Sequence, residues 1–176
     1  MPCDLSGRTA SLLKLLPDVF ARSNKGKSLL YVGANSSRFH YGENIREAGY
    51  LIDVLEAFKE NVDNLKRTPW INTIHGDIRK FYPLKDYDVV FWWHGPEHVL
   101  ANDLRPTVER IKTYAKTIVV GCPWGRREQG SVGGNPFEVH ANHLYERDLE
   151  YLGFSVDAVG VKDVPPSHLT GVLQVR

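Results

Sequence analysis

The sequence predicts a doubly wound α/β fold with a mostly parallel sheet, and three observations carry that expectation. Strand-sized apolar runs alternate with helix-compatible segments from Ser28 to Gly121, a spacing that requires crossovers and hence parallel pairing. The first run, SLLYV, breaks at once into a small-residue turn that begins at Gly33. The last two runs are separated only by a proline-containing loop, too short for a crossover, so they should form an antiparallel pair at one sheet edge.

Leu5–Arg22 places Leu12, Leu13, Leu15, Leu16, Val19 and Phe20 near helical spacing, with Pro17 set to bend or split the helix. Residues 1–24 are therefore expected as an N-terminal helical segment. Ser28–Val32 is apolar on successive positions, as a strand buried on both faces requires. Glu43–Ala48 reads as a helix stopped at Gly49. Tyr50–Leu55 follows as the second strand, with Glu56 at its carboxyl end. Glu60–Arg67 suggests a helix closed by Pro69, and Ile71–His75 the third strand. Tyr87–Trp93 (YDVVFWW), β-branched and aromatic, carries the strongest strand signal. Leu104–Tyr114 is helical, Thr117–Gly121 a buried strand and Glu146–Leu152 a helix; Phe154–Val161 and Leu169–Val175 are the terminal pair. Cys122–Asn142 holds four of the fifteen glycines and two prolines without periodicity. Irregular loops of that length at a strand's carboxyl end are usually functional, and 123–143 is expected as a substrate lid.

At 176 residues, 42% hydrophobic and 24% charged, the chain suits one buried core, so 1–176 is expected as a single domain. Its 22 Lys and Arg balance 21 Asp and Glu, leaving no global basic field to draw nucleic acid or anionic lipid. The apolar runs are too short to span a bilayer, and Met1–Leu5 lacks the basic-then-apolar pattern of a secretion signal. A cytoplasmic protein is expected, with a small-molecule substrate, neither nucleic acid nor membrane as partner, and its oligomeric state open. Cys3 and Cys122 have no CxxC spacing and read as reduced thiols.

Parallel sheets bind ligands outside the carboxyl ends of their strands, where strand order reverses. The polar residues there are Gly33–Ser37, Glu56, Gly76 and Asp77, His94–His98, and the segment from Pro123 onward. In order and spacing this set resembles the class I S-adenosylmethionine-dependent methyltransferases, over roughly residues 25 to 176. The resemblance implies a Rossmann-like seven-stranded sheet, mostly parallel with an antiparallel C-terminal strand. It also implies S-adenosylmethionine as cofactor and methyl transfer to an O or N nucleophile of a small molecule. Carried onto this chain, the cofactor loop becomes Gly33, Ala34 and Asn35. The ribose-binding acid becomes Glu56, with Asp53 as an in-strand rival, and Asp77 with Ile78 falls beside the adenine amino group. Tyr31 stands where the family's loop opens with an acidic residue, and Asn35 and Ser37 where it has further glycines; small residues tolerant of positive φ can still make the turn. One alternative is a non-catalytic or degenerate nucleoside-binding or assembly protein of the same fold. A nicotinamide-dependent oxidoreductase is further off, because Asn35 and Arg38 occupy the second and third glycine positions of GxGxxG.

The family's substrate-facing motif follows strand four, here FWWHGPEHV. Trp93 on the cofactor side and Trp92 and Trp124 on the substrate side would wall the site, ring faces favouring the cationic sulfonium. Alternate positions of a central strand face opposite sides, so core packing competes for Trp92 and Trp93. His94 is the candidate general base, with a structural hydrogen bond as the competing role. Asn135, Glu138, His140 and His143 are candidate lid contacts. His94, Glu97, His98, His140 and His143 contain HxxxH and HxxH pairs, but Pro96 turns the first and neither has the HExxH form, so no metal is expected.

Overall fold

The computed structural model describes residues 5–36, 38–160 and 165–175; Cys3, Ser37 and Val161 lie outside the described residues. Along the chain run α1 (Leu5–Leu15), β1 (Ser28–Val32), α2 (Gly42–Ala48), β2 (Leu51–Glu56), α3 (Lys59–Leu65), β3 (Asn72–His75), β4 (Tyr87–Trp93), α4 (Ala101–Lys112), β5 (Ala115–Pro123), α5 (Glu146–Tyr151), β6 (Ser155–Val159) and β7 (His168–Gln174). α1 stops before Pro17, whose ring and missing N–H bar a continued helix, and a 3₁₀ turn at Arg22–Asn24 precedes β1. β5 runs further than its apolar segment, through Pro123, because β7 pairs along its whole length, from Thr117 opposite Gln174 to Pro123 opposite His168.

The seven strands form one sheet in the order β3-β2-β1-β4-β5-β7-β6. All pair parallel except β7, which is antiparallel to both β5 and β6. Too few residues separate β6 from β7 for a crossover, so β7 turns straight back. Strand order reverses between β1 and β4, and the ends of these two strands frame the ligand-binding position of a doubly wound sheet.

Both central strands are buried on two faces. Leu30, Val32, Val90 and Trp92 pack with Leu104, Val108 and Ile111 of α4 and Leu149 of α5. Leu29, Tyr31, Val89, Phe91 and Trp93 pack on the other face with Leu12 of α1 and Ile45 and Ala48 of α2. α1 lies against β6 and β7, and Lys14 pairs with Asp157 there. That docking carries Arg8, itself buried, toward the end of β4.

Candidate functional site

At the switch point, β1 passes into Gly33, whose φ of +79° is one that L side chains rarely adopt. Beyond it opens a crevice lined by Gly33, Glu56, Asp77, Ile78, Trp92, His94 and, from the loop after β5, Asn135, Phe137 and Glu138, among others. Glu56 is 4% exposed and its Oε1 accepts the Phe58 N–H at 2.7 Å. Burial raises its pKa above the ordinary glutamate value, only partly offset by hydrogen bonds from Phe58 and Asn61. Asp77 is half-buried, which alone would raise its pKa. Arg79 outweighs that, donating from Nε at 3.0 Å and Nη2 at 2.6 Å, and keeps the carboxyl below its usual range. Asp53, mid-strand, does not line the crevice. It accepts from Tyr87 Oη at 2.6 Å, Asn72 Nδ2 at 3.0 Å and Lys85 Nζ at 2.8 Å, tying β2 to β3 and to the start of β4. Burial again opposes ionisation, and these donors together win.

A second cavity opens on the other face of β4, lined by Tyr31, Gly33, Asn35, Arg38, His40, Trp93, His94, Glu97, His98, Glu138 and His140, among others. His94 sits where the chain leaves β4, in the left-handed region at φ +52°, its N–H donated to Gly121 O at 2.7 Å. Arg8 Nη1 donates to its Nε2 at 2.8 Å. A guanidinium can only donate, so the ring proton lies on Nδ1, which donates to Glu97 Oε1 at 3.1 Å. His94 is thereby held as the neutral Nδ1–H tautomer. The His40 and His168 rings stand 5.1 and 5.5 Å from it. His168 is fully buried, and neither of its ring nitrogens has a hydrogen-bond partner. Burial, then the Arg8 guanidinium and the unfavourable cost of a further positive charge beside the His94 and His40 rings, push its pKa down to about 2.

Trp92 lines the first crevice and Trp93 the second cavity. Both are also core residues, on opposite faces of the sheet. Trp92 lies under Gly95: a Cβ there would stand 1.8 Å from the indole Nε1, so only glycine lets the chain pass. Gly33 lines both cavities and Asn35 the second, whereas Ala34 is buried in the core. Of the loop residues, Asn135 and Glu138 reach the first crevice and Glu138 and His140 the second. His143 is exposed and lines neither; Trp124 turns away, donating Nε1–H to Glu146 Oε2 at 2.8 Å. The expected lid is fastened down: Ala141 and Asn142 donate their N–H groups to Glu97 O at 2.8 and 3.0 Å. Sequence reasoning missed Arg8, His40 and His168, and the one trace available was a histidine opening the otherwise apolar HLTGVL run.

No protein-family model and no curated protein matches the sequence. Solved structures match the fold. The N-methyltransferase NodS from Bradyrhizobium japonicum WM9 is 11% identical, with a TM-score of 0.64 over 97% of each chain. DhpI in complex with SAH is 15% identical, with a TM-score of 0.68 over 95% of this chain and 83% of that one. Magnesium protoporphyrin IX methyltransferase (ChlM) from Synechocystis PCC 6803, with bound SAH, is 13% identical, with a TM-score of 0.59 over 95% and 84%. The chain thus has the class I S-adenosylmethionine-dependent methyltransferase fold. Among the described residues, no helix is long and apolar enough to cross a membrane.

Proposed function

We propose that this chain is a single-domain, cytoplasmic enzyme that transfers a methyl group from S-adenosylmethionine to an O or N nucleophile of a small molecule. The observation that supports this most is the switch-point crevice, where Gly33, the buried Glu56, and Asp77 with Ile78 end three adjacent parallel strands. A carboxylate can accept both hydrogen bonds of a vicinal diol, which suits Glu56 to a ribose. Asp77, fixed by Arg79, keeps acceptor capacity for an adenine amino group. DhpI and ChlM, crystallised with SAH on the same fold, add support.

In this reading the acceptor enters from the second cavity, between Trp93, His94 and the loop residues Glu138 and His140. Glu97 fixes the Nδ1–H of His94, and the acceptor displaces Arg8 from Nε2, which then takes the acceptor's proton. Arg8 on that nitrogen is equally the observation that favours a second reading, a non-catalytic binder of the same fold.

Calorimetry with S-adenosylmethionine and SAH separates the outcomes. Micromolar binding is expected, and no binding at millimolar cofactor overturns the proposal. Glu56→Ala should weaken binding by about tenfold or more, roughly 1.4 kcal/mol. With an acceptor in hand, His94→Ala should slow turnover about 100-fold at nearly constant cofactor affinity; equal loss of both would make His94 a pocket residue only.

A further inference from the structure

In the second cavity three ligand-grade atoms converge from two segments, His140 lying 42 positions after His98. His98 donates its Nδ1–H to Val139 O at 3.1 Å, and His140 donates its Nδ1–H to Arg127 O at 2.6 Å. A carbonyl oxygen only accepts, so each ring keeps its lone pair on Nε2. Metal-binding histidines are oriented in this way, with the outer N–H on a carbonyl. Glu97 is 2% exposed; its Oε1 is taken by His94, while Oε2 is buried without a hydrogen-bond partner. A carboxylate oxygen left so in the interior calls for a donor or a cation.

We propose that Glu97, His98 and His140 bind a divalent transition-metal ion. One ligand atom from each lies within 4.8 Å of the other two, and the two imidazoles stand 5.1 Å apart. Atoms bound to one ion at about 2.0–2.2 Å are some 3–4 Å apart, so a small closure of side chains completes the triad. The hydrogen bonds from Ala141 and Asn142 to Glu97 O lock the two segments together beside it. Two imidazoles and one carboxylate suit zinc and its first-row neighbours, whereas magnesium and calcium favour all-oxygen sets. Three protein ligands leave a coordination position open to the cavity, for water or a small-molecule oxygen. That such an oxygen belongs to a methyl acceptor rests on the proposed function; the metal site itself does not.

The spacing of histidines in the sequence pairs His94 with His98 and His140 with His143. The fold pairs His98 with His140 instead, commits both nitrogens of His94 to Arg8 and Glu97, and leaves His143 outside.

The full chain, stripped with a chelator, is titrated with Zn²⁺ by calorimetry and with Co²⁺ by its visible absorption. One ion per chain is expected. His98→Ala and His140→Ala should each lower affinity by more than the roughly 10- to 100-fold that loss of an outer partner costs, and His143→Ala should change nothing. Both histidines are partly exposed, so alanine there spares the core, and melts of the metal-free variants check this. Absence of Zn²⁺ and Co²⁺ binding at micromolar concentration, or binding that survives both substitutions, overturns the site. Zinc binding without S-adenosylmethionine binding leaves the site standing and removes the methyl-transfer reading.

Discussion

The two cavities share Gly33, His94, His98 and Glu138, yet they are built by different means. The crevice beside Trp92 takes Glu56 and Asp77 from the ends of adjacent parallel strands, and each is bonded by a residue two positions on. The cavity beside Trp93 is assembled from the stretch after β1, the turn after β4 and the loop after β5, with Arg8 of α1 bonded to His94 and His168 of β7 packed behind. Groups fixed by local backbone stay close to where a strand puts them. Groups brought from distant segments are held by one another, so the second cavity can be changed by substitutions far from it.

The largest expected contrast pairs Asp53 with Glu56. Asp53→Ala should destabilise the fold by about 3 kcal/mol in denaturant melts, since it strands Tyr87 Oη and Asn72, and leave cofactor affinity unchanged. Glu56→Ala should do the opposite, and a swap of the two effects would move the ribose role to Asp53. Next comes Gly95→Ala, which drives a methyl group into the Trp92 indole. It should cost about 2–3 kcal/mol and weaken the Trp92-side ligand; a wild-type melt would mean that the indole moves freely.

The Trp93 side should answer to acid. His168 has a folded-state pKa far below the ordinary value near 6.5, so the unfolded chain binds the extra proton. Its contribution to stability is whole above pH 6.5 and lost as pH falls toward 2, on the order of 2 kcal/mol by pH 5. His168→Phe should flatten urea-derived stability between pH 7 and 5, and an unchanged slope would assign acid sensitivity elsewhere. The smallest effect is His143→Ala, within about 0.5 kcal/mol in stability, because the side chain is exposed.

The strands legible in the sequence are those buried on both faces: SLLYV and YDVVFWW coincide with β1 and β4 to the residue. Glu56, Asp77 and Ile78 could be placed because a strand's end follows from where its apolar run stops. Trp92 and Trp93 point to opposite faces of β4, as strand alternation requires, but alternation does not say which helix layer covers which face. The histidine pairs could not locate a cluster for a related reason. HxxxH reports proximity only on a helix, and His94 lies in a left-handed turn before the 3₁₀ turn Pro96–His98.

Periodicity and turn chemistry, which are local, were sufficient to fix the order of strands and helices, the reversal at β7 and the position of the switch-point crevice. Arg8 on His94, the buried His168 and the meeting of Glu97, His98 and His140 were decided only by tertiary structure. Each depends on how α1 docks on β6 and β7 and how the loop after β5 hydrogen-bonds to Glu97. Those are contacts between segments far apart in the chain, and no spacing along the chain encodes them.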